Sequence, residues 1–550
     1  IQGKVYNPTP VPQTFLWWAN PAVAVNEQYQ SVFPGDVNAV FDHGKRDVSR
    51  YPIATGTYYK MDYSAGVDIS RYKNIPVPTS YMAIRSKYNF VGGYENDTHA
   101  GVLHVANHHV SPGKKQWTWG NGDFGQAWDR NLTDEDGPYI ELMTGVYTDN
   151  QPDFTWLQPY EEKTFTQYFI PYRELGVVKN ASSDLLMNIE PEGNASRLKI
   201  FATSVQKDLH IVVVKEDEQV LDIIRDVTPE MILEEWVPVD TLIGLRVSIC
   251  NSKGKLLLSW EPEPNEIKEV PEPAKAALDP KDIQTTEQLY LTGLHLEQYR
   301  HATYAATDYY EEALSRDPDD VRNNNAMGLW LIRKGQFAKA EPYLRRAVKT
   351  LTEKNPNPYD GEPLYNLGLS LKYQGKTDEA YDCFYKACWN AAWQDAGYYS
   401  LAQLSASKGN WEDALYEIDK SLLRNWHNLR GRHLKAVVLR HLGRVDEALD
   451  LIRESLAIDC FNFGCSFEEY LLTGEKAVLD DLLVRMRSEG HNYEELSLDY
   501  ASAGCWEEAL KVVEVAFEVV ASERTLLYYY KSWFLLSLGR LKEAEMAICV

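Results

Sequence analysis

The second half of the chain repeats itself. Gly328, Ala340 and Ala347 lie 12 and 7 residues apart, and Gly368, Ala380 and Ala387 keep the same offsets. Ala402, Ala414 and Ser421, then Ala436, Ala448 and Ser455, do so again, with a period near 34 residues. Such a period constrains the fold more than any composition does. Each unit is too small to bury its own apolar face, so only stacked neighbours make a core. The small residues mark where paired helices must approach closely, while Tyr, Phe and Leu fill the remaining positions. An earlier unit runs through Ala306, Ala313 and Pro318 with one residue inserted. Residues 465–490 read as degenerate, and Ser497, Ala509, Ala516, Ser532 and Ala544 resume the phase. This is the tetratricopeptide pattern, and it predicts a helical solenoid with a concave groove suited to an extended peptide, a helix or a neighbouring domain.

The first half follows another period. Short runs such as Thr14-Phe-Leu-Trp-Trp, Gly101-Val-Leu-His-Val and Lys163-Thr-Phe-Thr-Gln-Tyr-Phe are separated by Gly, Pro, Asn and Asp clusters. That spacing predicts an all-β sandwich, with no helical period lasting beyond a turn or two. Alternation is clear again in Arg197-Leu-Lys-Ile-Phe-Ala-Thr and Leu209-His-Ile-Val-Val-Val, which predicts a second, smaller sandwich without chemistry of its own. The expected organisation is therefore multidomain β + α. A β-sandwich spans 1–190, a small antiparallel β-sandwich 191–262, an acidic Pro-rich linker 263–284 and the repeat superhelix 285–550.

With 550 residues the chain exceeds a single core. Its formal charge of −24 argues against nucleic-acid binding, and no apolar run is long enough to cross a bilayer. Neither nucleic acid nor membrane is expected as a partner. The 7 cysteines are absent from the first 249 residues, which does not describe a disulfide framework. Cys383/Cys388 and Cys460/Cys465 lack the histidines a zinc site needs and read as small buried residues. No cofactor and no metal are expected, and reduced cysteines point to the cytoplasm, with secretion the alternative if an N-terminal segment is missing. The chain starts without Met and stops inside a helical pattern, so it reads as an excerpt. Arg424 to Arg444 carries six Arg or Lys and three His. That stretch suits an acidic partner segment or the chain's own acidic linker; the alternative is a solvated helix face.

Chemistry concentrates between Pro112 and Gly145. Trp117 and Trp119 alternate as on one face of a strand, preceded by Lys115, and Glu141 sits among apolar neighbours just after Gly137-Pro138. Ile140 and Leu142 are expected on the opposite face. A carboxylate on the aromatic side of a sheet implies a concave site; the alternative is a buried Glu sealed in an ion pair. Aromatic faces stack on sugar C–H faces, while acids, amides and histidines bond hydroxyls, so the composition suits a carbohydrate cleft.

The succession FLWWANPAVAV, AVFDHG, DISRYKNIPVPTSYMA, GGYENDTHAGVLHVANHHVSPGKKQWTWG and GPYIELMTG resembles an uncharacterised family with a galactose-mutarotase-like domain fused to tetratricopeptide repeats. The resemblance covers residues 1 to about 175 and implies a mutarotase-like β-supersandwich. In mutarotases a histidine protonates the ring oxygen and a glutamate takes the proton of the anomeric hydroxyl. Here the strand Ile140 to Gly145 resembles the mutarotase strand, but the catalytic glutamate normally follows it, where this chain has Asp149-Asn150-Gln151-Pro152-Asp153.

The candidate base is Glu141. The candidate acid is His43, with Asp42 beside it to orient the ring, or else His109; each is alternatively a structural histidine. Trp18, Asn20, Lys115, Trp117, Trp119 and Gln151 are the candidate substrate-binding residues. A glycosidase pair of Glu141 with Asp134, Asp136 or Asp153 is the other option, and Lys115 and Arg50 suit an acidic sugar. Two functions are open. One is a carbohydrate-active protein with epimerase-, hydrolase- or lyase-like Glu/His chemistry and repeats for assembly or partner binding. The other is a non-enzymatic scaffold with a glycan-binding β domain and a peptide-binding repeat groove.

Overall fold

A computed structural model of the chain describes residues 1–150, 153–264, 268–520 and 525–549. Two compact units emerge. One comprises residues 1–4, 14–156 and 164–277, the other 5–13, 157–163 and 278–550.

The first unit is a stack of sheets. In one sheet Ala22–Ala24, Tyr139–Gly145, Gly113–Thr118, Thr79–Ala83, Ala39–Phe41 and Val48–Arg50 are hydrogen-bonded in that order. A second, five-stranded sheet runs Gln2–Tyr6, Glu162–Arg173, Ala100–Ala106, Phe90–Glu95 and Tyr29–Val32. The two pack face to face, because His104 Nε2 lies 3.1 Å from Thr144 Oγ1 and the Gln167 amide donates to the same hydroxyl at 2.7 Å. The outer face of the second sheet, through Phe90, Leu103, Val105 and Ile170, shares a core with Leu186, Leu198, Ile200 and Ile211 of the smaller β module. That module follows the period-2 rule closely. In Ala195–Ala202 burial alternates residue by residue, with Ser196, Leu198, Ile200 and Ala202 inside.

Two expectations need correction. Leu185–Glu192 is a single strand, paired with Asn180–Ala181 on its other side, so the smaller module begins near 180 and residue 190 falls inside one of its strands. The expected absence of helix from the first region also fails, because Asp123–Leu132 is a ten-residue α-helix. Its Gly-rich lead-in reads as loop. Yet Gly120 and Gly125 allow the chain to turn tightly there: a Cβ on Gly125 would meet the Gly120 carbonyl oxygen at 2.1 Å.

The second unit is built of antiparallel helix pairs, for example Val321–Arg333 with Phe337–Glu353, Glu362–Lys372 with Thr377–Ala387, and Gln394–Ser407 with Trp411–Arg424. The small residues that carry the repeat do what the pattern requires. Ala340, Ala347, Ala380, Ala387, Ala402 and Ala414 are all 0% exposed. A Cβ on Gly328 would lie 2.5 Å from Leu344, and one on Gly368 would lie 2.7 Å from the Phe384 ring. The degenerate stretch still folds as a pair, Phe463–Thr473 and Lys476–Met486. Cys388 and Cys465 are buried, but Cys460 is exposed in a turn, against the expectation that it packs inside. Among the described residues no helix is long and apolar enough to cross a membrane.

Candidate functional site

Strand register assembles the site. Glu141 pairs with Trp117 on one side and Ala22 on the other, Lys115 pairs with Met143, and Trp117 pairs with Ser80. Directly paired residues share a face, so Glu141, Lys115, Trp117 and Ser80 project together, while Ile140 and Leu142, each 0% exposed, fill the interior opposite. His43 reaches the same face from the turn after Ala39–Phe41. Its Nε2 lies 2.7 Å from Lys115 Nζ and its Nδ1 lies 2.5 Å from Ser80 Oγ.

This arrangement fixes protons. An ammonium has no acceptor, so charged Lys115 donates to Nε2, leaving the ring proton on Nδ1 to donate to Ser80 Oγ. Burial and the neighbouring Lys115 push the imidazole down to about 4, so it is neutral near pH 7. Burial likewise pushes the Lys115 ammonium down to about 8, opposed by the Glu141 charge. Glu141 is half-buried and raised by desolvation, against the pull of Lys115 and of the Asn20 amide, which donates to Oε2 at 3.1 Å.

Several sequence-derived roles change. Asp42 does not orient the His43 ring through a hydrogen bond. Its Oδ1 accepts from the Arg46 and Asp47 backbone amides at 2.6 and 3.0 Å, closing the turn that carries His43, and the orienting hydroxyl belongs to Ser80. A short acid next to a turn is drawn to backbone amides before it can reach a ring. His109 lies apart from this face, exposed in the turn after Ala100–Ala106 with its ring 3.9 Å from His108. Asp153 is paired with Lys45, and Asp134 and Asp136 are exposed in a turn. The Arg50 guanidinium donates to the Lys268 carbonyl at 3.4 Å. Trp18 bridges to Gly145 and lies across it, as a Cβ there would meet the indole at 2.4 Å. Gln151 lies outside the described residues.

The aromatic wall is larger than the sequence reading had it. Trp117 and Trp119 lie 4.7 Å apart edge to face, and Trp119 stacks on Trp128 at 5.2 Å with 11° between planes. Trp119 Nε1 donates to Tyr139 Oη at 3.1 Å. Trp128 and Phe124, four residues apart on the helix Asp123–Leu132, remain 40% and 58% exposed. Their i, i+4 spacing was the signal available beforehand. Ser80 carried none, since its contact with His43 arises from pairing between strands distant in sequence.

The helical unit is an array of helix pairs, and 99 residues of the chain are 34% identical to human tetratricopeptide repeat protein 7A. That match covers 18% of this chain and spans 11% of the human protein's length. Residues 1–172 match the family described as domain of unknown function (DUF5107), and residues 180–260 match the second domain of YphG-like proteins. Similar solved structures include MamA, with a TM-score of 0.28 at 21% identity over 31% of this chain and 91% of that one. A tetratricopeptide repeat protein from Parabacteroides merdae gives 0.30 at 19% identity over 41% and 90% of the respective chains.

Proposed function

We propose that the β unit binds a saccharide on the Trp117–Trp119–Trp128 face and moves protons on it with Glu141 and Lys115, the repeats serving as an interaction module. The observation that carries this reading is a carboxylate and a buried ammonium sharing one sheet face with an exposed aromatic wall. Two titratable groups with displaced proton affinities beside a stacking platform suit general acid–base work on a sugar. Neutral His43 is a poor proton donor near pH 7, so the acid role passes to Lys115, and His43 with Ser80 becomes a positioning pair. In an epimerase-like cycle Glu141 takes the anomeric hydroxyl proton while Lys115 gives a proton to the ring oxygen. The C1–O5 bond breaks to an open-chain aldehyde, and the reverse steps on the other carbonyl face return the opposite anomer.

The second reading is a glycan-binding module without turnover, favoured by the exposure of Trp128 and Phe124, which stacking alone would explain. A calorimetric screen of mono- and oligosaccharides, with anomeric NMR on each hit, separates the two. Glu141→Gln is expected to keep binding and lose turnover. Binding without turnover in the unaltered protein would leave only the second reading, and no binding at all would sink both.

A further inference from the structure

The helical unit contains two short pieces that come from far upstream, Val5–Gln13 and Leu157–Lys163. They are joined to each other first. Asn7, 2% exposed, donates through Nδ2 to the carbonyls of Val11 and Gln158 at 2.9 Å each, and its backbone amide donates to Glu161 O at 3.0 Å. The result is one ridge, and it is seated on the first helices of consecutive repeats and on the turn that follows Trp411–Arg424. Tyr365 Oη donates to Pro10 O at 2.9 Å, Arg333 Nη2 to Pro12 O at 2.8 Å, and Asn425 Nδ2 to Tyr160 O at 2.8 Å. Val11 and Tyr160 are 7% and 3% exposed within the repeats' own core, with the Tyr160 ring 4.7 Å from Tyr399. His427 Nδ1 lies 3.0 Å from Glu162 Oε1, so part of the basic 424–444 stretch meets an acid of the ridge. Asp395 braces the seat by accepting from Asn425 Nδ2 at 2.7 Å.

Side-chain donors aimed at backbone carbonyls hold a peptide without reading much of its sequence, because every residue offers such an acceptor. Here those donors are already used. We propose that the inner face of the repeats from Arg333 to His427 is a peptide receptor occupied in cis by the Asn7-stapled ridge, so that any partner segment for this face must compete with residues 5–13 and 157–163. This deepens the reading of the repeats as an interaction module, and it selects the partner's chemistry: a short loop offering an apolar residue, an aromatic ring and outward carbonyls.

The test uses the full chain. Hydrogen exchange by mass spectrometry reports occupancy whether or not a partner exists, so its failure is distinct from failure of the module reading. In the unaltered protein both segments are expected to exchange slowly. Asn7→Ala, which removes only the staple, and Tyr160→Ala, which removes the anchor, should each raise exchange in both segments together, by about tenfold. Protection in the helices Glu362–Lys372 and Gln394–Ser407 should persist, which certifies the fold. A fluorescent synthetic peptide of residues 5–13 should then bind the variants about tenfold more tightly than the unaltered chain. Fast exchange of either segment in the unaltered protein, exchange confined to the altered segment, or equal peptide binding by all three proteins would overturn the proposal.

Discussion

Lys114 and Lys115 show how one position decides a residue's meaning. Successive strand residues face opposite sides, so Lys115 joins Glu141 and His43 while Lys114, 1% exposed, points into the sandwich. Among the described residues Lys114 Nζ has no hydrogen-bond partner, and burial pushes its ammonium down to about 8. A lysine whose folded value is lowered binds fewer protons than the unfolded chain between that value and its ordinary one. Stability contributed by either lysine is therefore lowest below pH 8 and rises from about pH 8 to 10.5. Lys114→Met should raise stability at pH 7 by about 2 kcal/mol and flatten that rise, read from urea melts at pH 7 and 9.5. A lower urea midpoint at pH 7 would show that the ammonium is held by contacts worth more than its desolvation. At Lys115 the same change should abolish turnover, and in the unaltered protein kcat/KM should fall as pH rises through about 8, because the acid is then lost. A profile flat from pH 6 to 10 would remove Lys115 from the acid role.

At the scale of elements, the helix Asp123–Leu132 acts by carrying Phe124 and Trp128 to the edge of the sheet face. Both rings are substantially exposed, so Trp128→Ala should leave the melting temperature nearly unchanged while weakening saccharide binding about tenfold, a calorimetric comparison. Unchanged affinity would move the ligand away from this wall. In the repeats, Gly368→Val should cost about 1–3 kcal/mol, because the new side chain must displace the Phe384 ring; equilibrium urea unfolding measures it. These elements differ in how far they could be read in advance. The repeat was legible because close helix contacts demand Gly and Ala at set offsets, and zero exposure at Ala340, Ala380 and Ala414 is the physical reason for that demand. Period 2 set Trp117 with Lys115 and Trp119, and Glu141 opposite Ile140 and Leu142, but it is the pairing of the two strands that brings Glu141 beside Trp117. The helix was missed because Gly120, Gly122 and Gly125 read as loop. The Ser80–His43–Lys115 chain was hidden because it depends on which distant strands become neighbours, and Asp42 misled because sequence adjacency outweighed its backbone bonds.

Across the whole molecule, the two compact units predict at least two calorimetric transitions rather than one. A bound saccharide should shift only the transition that Lys114→Met also shifts, and Gly368→Val should shift the other; a single transition moved by all three changes would contradict two units. The ridge adds a matter of timing. The bond from Tyr365 to the Pro10 carbonyl spans 355 residues of chain. At the usual rates of synthesis, on the order of 20–70 s separate the emergence of its two ends from the ribosome. During that interval Val11 and Tyr160 have left the ribosome with no repeat to receive them, so the newborn chain carries two apolar anchors that chaperones or premature partners can meet before its own helices exist.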